Sequence, residues 1–151
     1  MSNTPAARRR TQAVPLSSPL SSRVLAGLLV ACAAASPAVA GDTTPAQQLE
    51  RWTAQAGKPA SVETGKQFFA ARHGREWSCS TCHGVPPTGP GKHASTGKRI
   101  VPLAPAANPD ALTDAARADK WFRRNCRDVL DRECTAAEKA DVLAYLLGLK
   151  P

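Results

Sequence analysis

Apolar residues along the chain from Thr43 onward recur three and four positions apart, the spacing that gives a helix one buried face. Val142, Leu143, Tyr145, Leu146 and Leu149 form the clearest run. Thr135-Ala136-Ala137-Glu138 precedes it as a capping box, in which the first and fourth residues satisfy each other's backbone N–H groups. Earlier, Thr43-Thr44-Pro45 offers a cap and a first-turn proline, Leu49 and Trp52 a short apolar face, and Gly57 a stop. A second helix is expected from about Ser61, with Val62, Gly65, Phe68 and Phe69, ending near Gly74. A helical glycine costs about 1 kcal/mol, so Gly65 marks either a close helix contact or a weak turn. Thr113 or Asp114 opens a third helix running to about Leu130. At 100° per residue it places Ala118, Trp121, Phe122, Asn125 and Val129 on one face, and Arg117, Lys120, Arg123, Arg124, Arg127 and Asp128 elsewhere. The last helix should cross the second, with Tyr145 against Gly65 and Phe69. Between Gly84 and Asp110, six prolines and four glycines exclude long helices and central strands, leaving a loop. Its Pro102-Leu103-Ala104-Pro105 segment is a candidate pocket wall.

The first forty residues follow another logic. Arg8, Arg9, Arg10 and Arg23 precede or flank an apolar run from Val24 to Ala35, and Ala38-Val39-Ala40 has the small-x-small form that a signal peptidase cuts. Cleavage after Ala40 divides the chain into a signal peptide, 1–40, and an exported domain, 41–151. Leu29-Val30-Ala31-Cys32 also resembles a lipobox, which would leave Cys32 as a lipidated first residue. The three consecutive arginines are a weaker match to a twin-arginine signal, because Thr11-Gln12-Ala13 is not apolar. No stretch reaches the roughly eighteen apolar residues of a membrane span. The leader takes four of the 20 basic residues and none of the 12 acidic ones, so the +8 of the whole chain falls to a formal +4 for the domain. Its mixed-sign charges argue for a solvated surface and against a nucleic-acid footprint. With few aromatic residues, a domain of this size buries a modest core by itself.

The five cysteines supply the missing centre. Cys79-Ser80-Thr81-Cys82-His83 is the attachment sequence for c-type haem: two thiols add to the vinyl groups and the adjoining imidazole coordinates iron. A dithiol redox site would need a strand-helix context, and a zinc site a second ligand pair. Cys126 and Cys134, eight positions apart and neither followed by His, read as a disulfide in an oxidising compartment. Cys32 leaves with the leader.

His83 fills one axial position, and the other is open. Small electron-carrying cytochromes c commonly place methionine there, yet the only methionine is Met1. Asn125 lies within an apolar stripe, where an unpartnered carboxamide costs about 1–3 kcal/mol, so it needs a hydrogen bond or a metal. His73 lies too near the attachment motif to reach the opposite face with ease. His93, in the proline-rich loop, could swing further, although solvent or a haem propionate would also suit it. Lys98 and Arg99 are further propionate candidates, with solvation the plain alternative.

Gly41-Asp42-Thr43-Thr44-Pro45-Ala46-Gln47, the Cys79–His83 motif, Thr96-Gly97-Lys98 with Pro102-Leu103-Ala104-Pro105, and above all Arg124-Asn125-Cys126 followed by Cys134-Thr135 resemble the sphaeroides haem protein family of oxygen-binding class I cytochromes c. The resemblance covers nearly all of the domain. It implies an all-α class I cytochrome c fold with one haem held by Cys79, Cys82 and His83. It also implies that Asn125 ligates ferric iron and leaves on reduction, opening a site for oxygen, nitric oxide or a similar diatomic molecule, with Cys126–Cys134 holding the ligand-bearing helix end. A dihaem cytochrome c and a membrane b-type cytochrome are the implied electron donors. The other reading is a low-spin electron shuttle with His93 as a second fixed ligand, and turnover of oxygen or nitric oxide is a third possibility.

Overall fold

The computed structural model describes residues 41–151, so the expected signal peptide, its cleavage point and the lipobox lie outside the described residues. Five helices and one short ladder follow in order: α1 (Pro45–Ala56), α2 (Val62–Ala70), α3 (Cys79–His83), β1 (Gly91–Lys92), β2 (Arg99–Ile100), α4 (Ala115–Leu130) and α5 (Ala136–Gly148). No helix among the described residues is long and apolar enough to cross a membrane.

The helix starts are chemically explicit. Thr44 accepts from the Gln47 N–H while Gln47 reaches back, Asp114 accepts from the Arg117 N–H, and Thr135 and Glu138 form the expected capping box. Gly57 ends α1 in the left-handed conformation at φ 67°. α2 is shorter than its apolar pattern suggested, stopping at Ala70, where the chain turns extended.

α5 is the spine, packing along both α1 and α2. Its crossing with α2 depends on Gly65: a Cβ there would sit 1.9 Å from the Asp141 carbonyl oxygen and 3.0 Å from the Val142 nitrogen. The sequence left open whether Gly65 is a contact or a weakness, and the structure makes it a contact. Phe69, Val142, Tyr145 and Leu146 form one core cluster, with the Phe69 and Tyr145 ring centroids 5.6 Å apart. Trp52, Ala140 and Leu143 form the second, where Lys139 Nζ and the Arg51 guanidinium lie 3.9 and 4.3 Å from the Trp52 ring centroid. Leu112 and Phe122 pack against both clusters. Leu112 does so from φ 64°, a left-handed conformation costing a branched residue about 1–2 kcal/mol.

Two expectations change. The proline-rich stretch is not all loop, because Gly91 pairs with Ile100 and Lys92 with Arg99 in a small antiparallel ladder. Trp121 is not on the buried face of α4. It is 47% exposed, with the Arg124 guanidinium 5.3 Å from its ring centroid. The buried positions are Ala118, Cys126 and Val129. Cys126, among these inward positions, is bonded to Cys134.

Candidate functional site

One turn of helix brings three of the four expected site residues together. Cys79, Cys82 and His83 all belong to α3. Two intervening residues place the cysteine side chains about one helical turn apart on one side, and the histidine follows directly. The start of α3 is fixed by a hydroxyl network: the buried Ser78 hydroxyl lies 2.8 Å from that of Ser80 and 3.0 Å from that of Thr81, and the Ser78 N–H donates to Thr81 Oγ1 at 3.0 Å. Ser78-x-x-Thr81 therefore closes a capping box around the motif. The sequence signal was that spacing, but a helix of five residues is too short to show periodicity.

The hairpin and α2 enclose α3. Gly91 presses on its end so closely that a Cβ would lie 2.1 Å from the Cys82 carbonyl oxygen, and the Ala94 N–H points to Cys82 Sγ at 3.3 Å. Cys79 packs against the Phe69–Tyr145 cluster, together with Phe68, Leu103 and Phe122. Burial pushes the Cys79 thiol up to about 11, with the neighbouring Cys82 raising it further and its own backbone N–H opposing. The thiol is thus neutral in the folded chain.

His83 has the properties of a metal ligand. Burial holds its pKa below the ordinary histidine value, keeping the imidazole neutral at physiological pH with a lone pair to give. Nδ1 is buried without a hydrogen-bond partner, and the Phe69 ring centroid is 6.2 Å from that of the imidazole. No group of three or more His, Cys, Asp or Glu side chains among the described residues could hold a bare metal ion. A single imidazole beside two free thiols, walled by apolar side chains, instead suits a metal brought in by a macrocycle that supplies the remaining donors.

Asn125 stands apart from this cluster, on the last turns of α4 beside the Cys126–Cys134 disulfide. It is half-buried, and its carboxamide has no hydrogen-bond partner among the described residues. The two other histidines are spoken for locally. His73 Nε2 lies 2.8 Å from the Phe68 carbonyl oxygen, and its ring meets that of Phe68 at a tilt of 41° with 4.3 Å between centroids. His93 Nδ1 accepts from the Thr96 N–H at 3.3 Å and lies 3.2 Å from the Ser95 hydroxyl, so its own loop holds the ring. Lys98 and Arg99 are exposed on the hairpin.

Comparison with known proteins agrees with these features. Residues 55–146 match the family described as Domain of unknown function (DUF1924). The cytochrome c-type protein SHP of Cereibacter sphaeroides is 48% identical over 123 residues, covering 79% of this chain and 95% of the relative. The structure of oxidized SHP, described as an oxygen binding cytochrome c, superposes with a TM-score of 0.66 at 49% identity, covering 70% of this chain and 97% of that one. The solution structure of cytochrome c'' from Methylophilus methylotrophus, reported with insights into haem-ligand detachment, gives a TM-score of 0.62 at 31% identity, over 71% of this chain and 94% of that one.

Proposed function

The chain belongs to the sphaeroides haem protein family of cytochromes c, and from that membership we propose that it is an exported monohaem cytochrome that binds a small diatomic molecule when reduced. Residues 1–40 are the cleaved leader in this reading, and 41–151 the periplasmic haem domain. Cys79 and Cys82 form the two thioethers to one haem c. His83 is the permanent axial ligand.

The observation that carries the proposal is the fate of the candidates for the other axial position. Met1 falls in the leader, His73 and His93 use ring nitrogens in local hydrogen bonds, and Asn125 is left with an unengaged carboxamide. When bound, the haem supplies the redox-active iron and the coordination position at which ligands exchange. Asn125 offers that iron a hard, weak-field oxygen, which suits the ferric state and is poorly held by the ferrous one. On reduction the side chain would be freed, and its amide N–H would be available to donate to an incoming diatomic ligand. The disulfide keeps the end of α4 in place while the side chain moves. A dihaem cytochrome c and a membrane b-type cytochrome are the electron donors in this reading. The His93 shuttle is disfavoured by the contacts of its ring with Ser95 and Thr96 in its own loop.

Visible and electron paramagnetic resonance spectra of the ferric and ferrous forms, with and without carbon monoxide, test the proposal. We expect a ferrous form that takes up carbon monoxide at once. In Asn125→Val the ferric haem should become five-coordinate while staying covalently attached. A ferric spectrum unchanged by that substitution would remove Asn125 from the coordination sphere, and a ferrous form indifferent to carbon monoxide would end the gas-binding reading.

A further inference from the structure

Charge is distributed unevenly over the domain. Residues 77–109 hold Lys92, Lys98 and Arg99 and not one Asp or Glu, whereas 41–76 nets +1 and 110–151 nets zero. One acid-free stretch therefore contributes +3 of the domain's net charge of +4. All three side chains are exposed. Among the described residues the ion-paired arginines are Arg51, Arg75, Arg117, Arg127 and Arg132, so Lys92, Lys98 and Arg99 present their charge unscreened by a local carboxylate.

This positive stretch also touches one attachment cysteine. The hairpin rests on α3 through the Gly91 contact with the Cys82 carbonyl and the Ala94 N–H directed at Cys82 Sγ. Beside it, Leu103 and Ala104 donate their N–H groups to the Pro87 carbonyl, so the segments holding Val85 and Val101 run next to each other. Val85 is 59% exposed and Val101 66%, two of the four large apolar side chains left open on the described surface. Cations around a small apolar patch, above a redox centre, have the composition of a transient protein interface: charge steers the approach and a few apolar contacts seat it.

We propose that the hairpin Gly91–Ile100, with Val85 and Val101, is the docking surface for an acidic electron-transfer protein, which pairs with Lys92, Lys98 and Arg99 and comes to rest over the Cys82 edge of the haem site. This rests on the reading of the chain as a cytochrome and adds the place and charge of its partner. One electron passes at this surface: the partner's reduced centre is oxidised, ferric haem becomes ferrous, and no covalent bond forms or breaks. Three cations fall short of the roughly four to eight that hold a protein to an anionic membrane. The hairpin has no Trp, Tyr or Phe on which a nucleic-acid base could stack.

The test uses the haem-loaded protein and photoreduced flavodoxin, an acidic one-electron donor, as the probe. A preliminary spectrum and carbon monoxide titration establish the haem and its ligand chemistry, so failure of the cytochrome reading is seen separately. The rate of haem reduction is then measured against ionic strength for the native chain, for Lys92→Glu/Lys98→Glu/Arg99→Glu, and for Lys58→Glu/Lys66→Glu/Lys120→Glu, which changes the net charge equally at exposed positions elsewhere. We expect the hairpin variant to lose at least about tenfold in rate at low salt and the control less than about threefold. Amide chemical shifts on adding oxidised flavodoxin should move at residues 85–101 and not along α1. Equal losses in the two variants, or shifts centred on another face, would overturn the proposal. So would a hairpin reversal that releases the protein from phosphatidylglycerol vesicles yet leaves flavodoxin reduction unchanged.

Discussion

The segments that carry His83 and Asn125 are held by different kinds of force. On the His83 side, α2 and α5 cross at Gly65 with backbone against backbone, and Phe69, Tyr145 and Leu146 are buried almost completely. On the Asn125 side, α4 has no comparably extended contact with another helix among the described residues. It is secured at discrete points: the Asp42 carboxylate accepts the Ala115 N–H at 2.8 Å, Arg51 grips Asp119 through two nitrogens at 2.9 and 2.5 Å, and Cys126 is bonded to Cys134. Dense packing permits one arrangement, whereas tethers fix the position of a helix and leave side chains between them free to change partners. The proposed permanent ligand, His83, lies on the packed side and the proposed releasable one, Asn125, on the tethered side, which matches this division of labour.

The division can be broken first at its strong side. Gly65→Ala puts a Cβ into the Asp141 backbone, which has no flexible end to yield, so α2 and α5 must separate. A stability loss of about 3 kcal/mol or more is expected, since overpacking a rigid contact is the costly case. Urea unfolding of the haem-loaded protein measures it, and a loss below about 1 kcal/mol would show that the crossing is softer than described. Next comes the covalent tether. Replacing Cys126 and Cys134 by serine should cost about 2.5 kcal/mol on the chain-entropy account. More tellingly, it should alter the ferric absorption spectrum while both thioethers survive, whereas Gly65→Ala should leave that spectrum native below its unfolding midpoint.

Smaller effects sharpen the contrast. Arg51→Ala removes a partly exposed ion pair, with side-chain exposures of 41% and 29% for Arg51 and Asp119, and should cost about 0.5–1 kcal/mol, shrinking as salt is added. Thermal melts at low and high ionic strength would reveal the dependence. The smallest effect is at the start of α5, where the Arg132 guanidinium beside Glu138, helped by the Thr135 N–H, brings its carboxyl down to about 2. Because the folded value lies below the unfolded one, this stabilisation is present above about pH 4.5 and is lost as pH falls toward 2. Arg132→Ala should shift the acid-unfolding midpoint upward, and an unmoved midpoint would assign Glu138 to capping alone.

The parts of this architecture that were legible in the sequence are those governed by local chemistry. Caps at Thr44, Asp114 and Thr135 marked helix starts within a residue, and the haem motif and the Cys126–Cys134 pairing could be read from spacing and compartment. Whatever depended on distant neighbours was hidden. The ladder of Gly91–Lys92 with Arg99–Ile100 is too brief to show alternation, and it sits where it does because Gly91 fits the end of α3. Trp121 was misplaced because a helical projection weighs hydrophobicity alone and does not say which arc of α4 faces the rest of the fold, here the one with Ala118, Cys126 and Val129. Asn125 stood out by being polar among apolar neighbours, although no pattern along the chain could say that His93 would be occupied by its own loop.

The packing of α5 bears on when one attachment cysteine can be reached. Val142, Tyr145 and Leu146 form, with Phe69, the cluster on which Cys79 packs. While α5 has yet to dock, that sulfur stands uncovered, open to a modifying enzyme. Docking closes it off, so a chain that collapses early hides the thiol it has to offer.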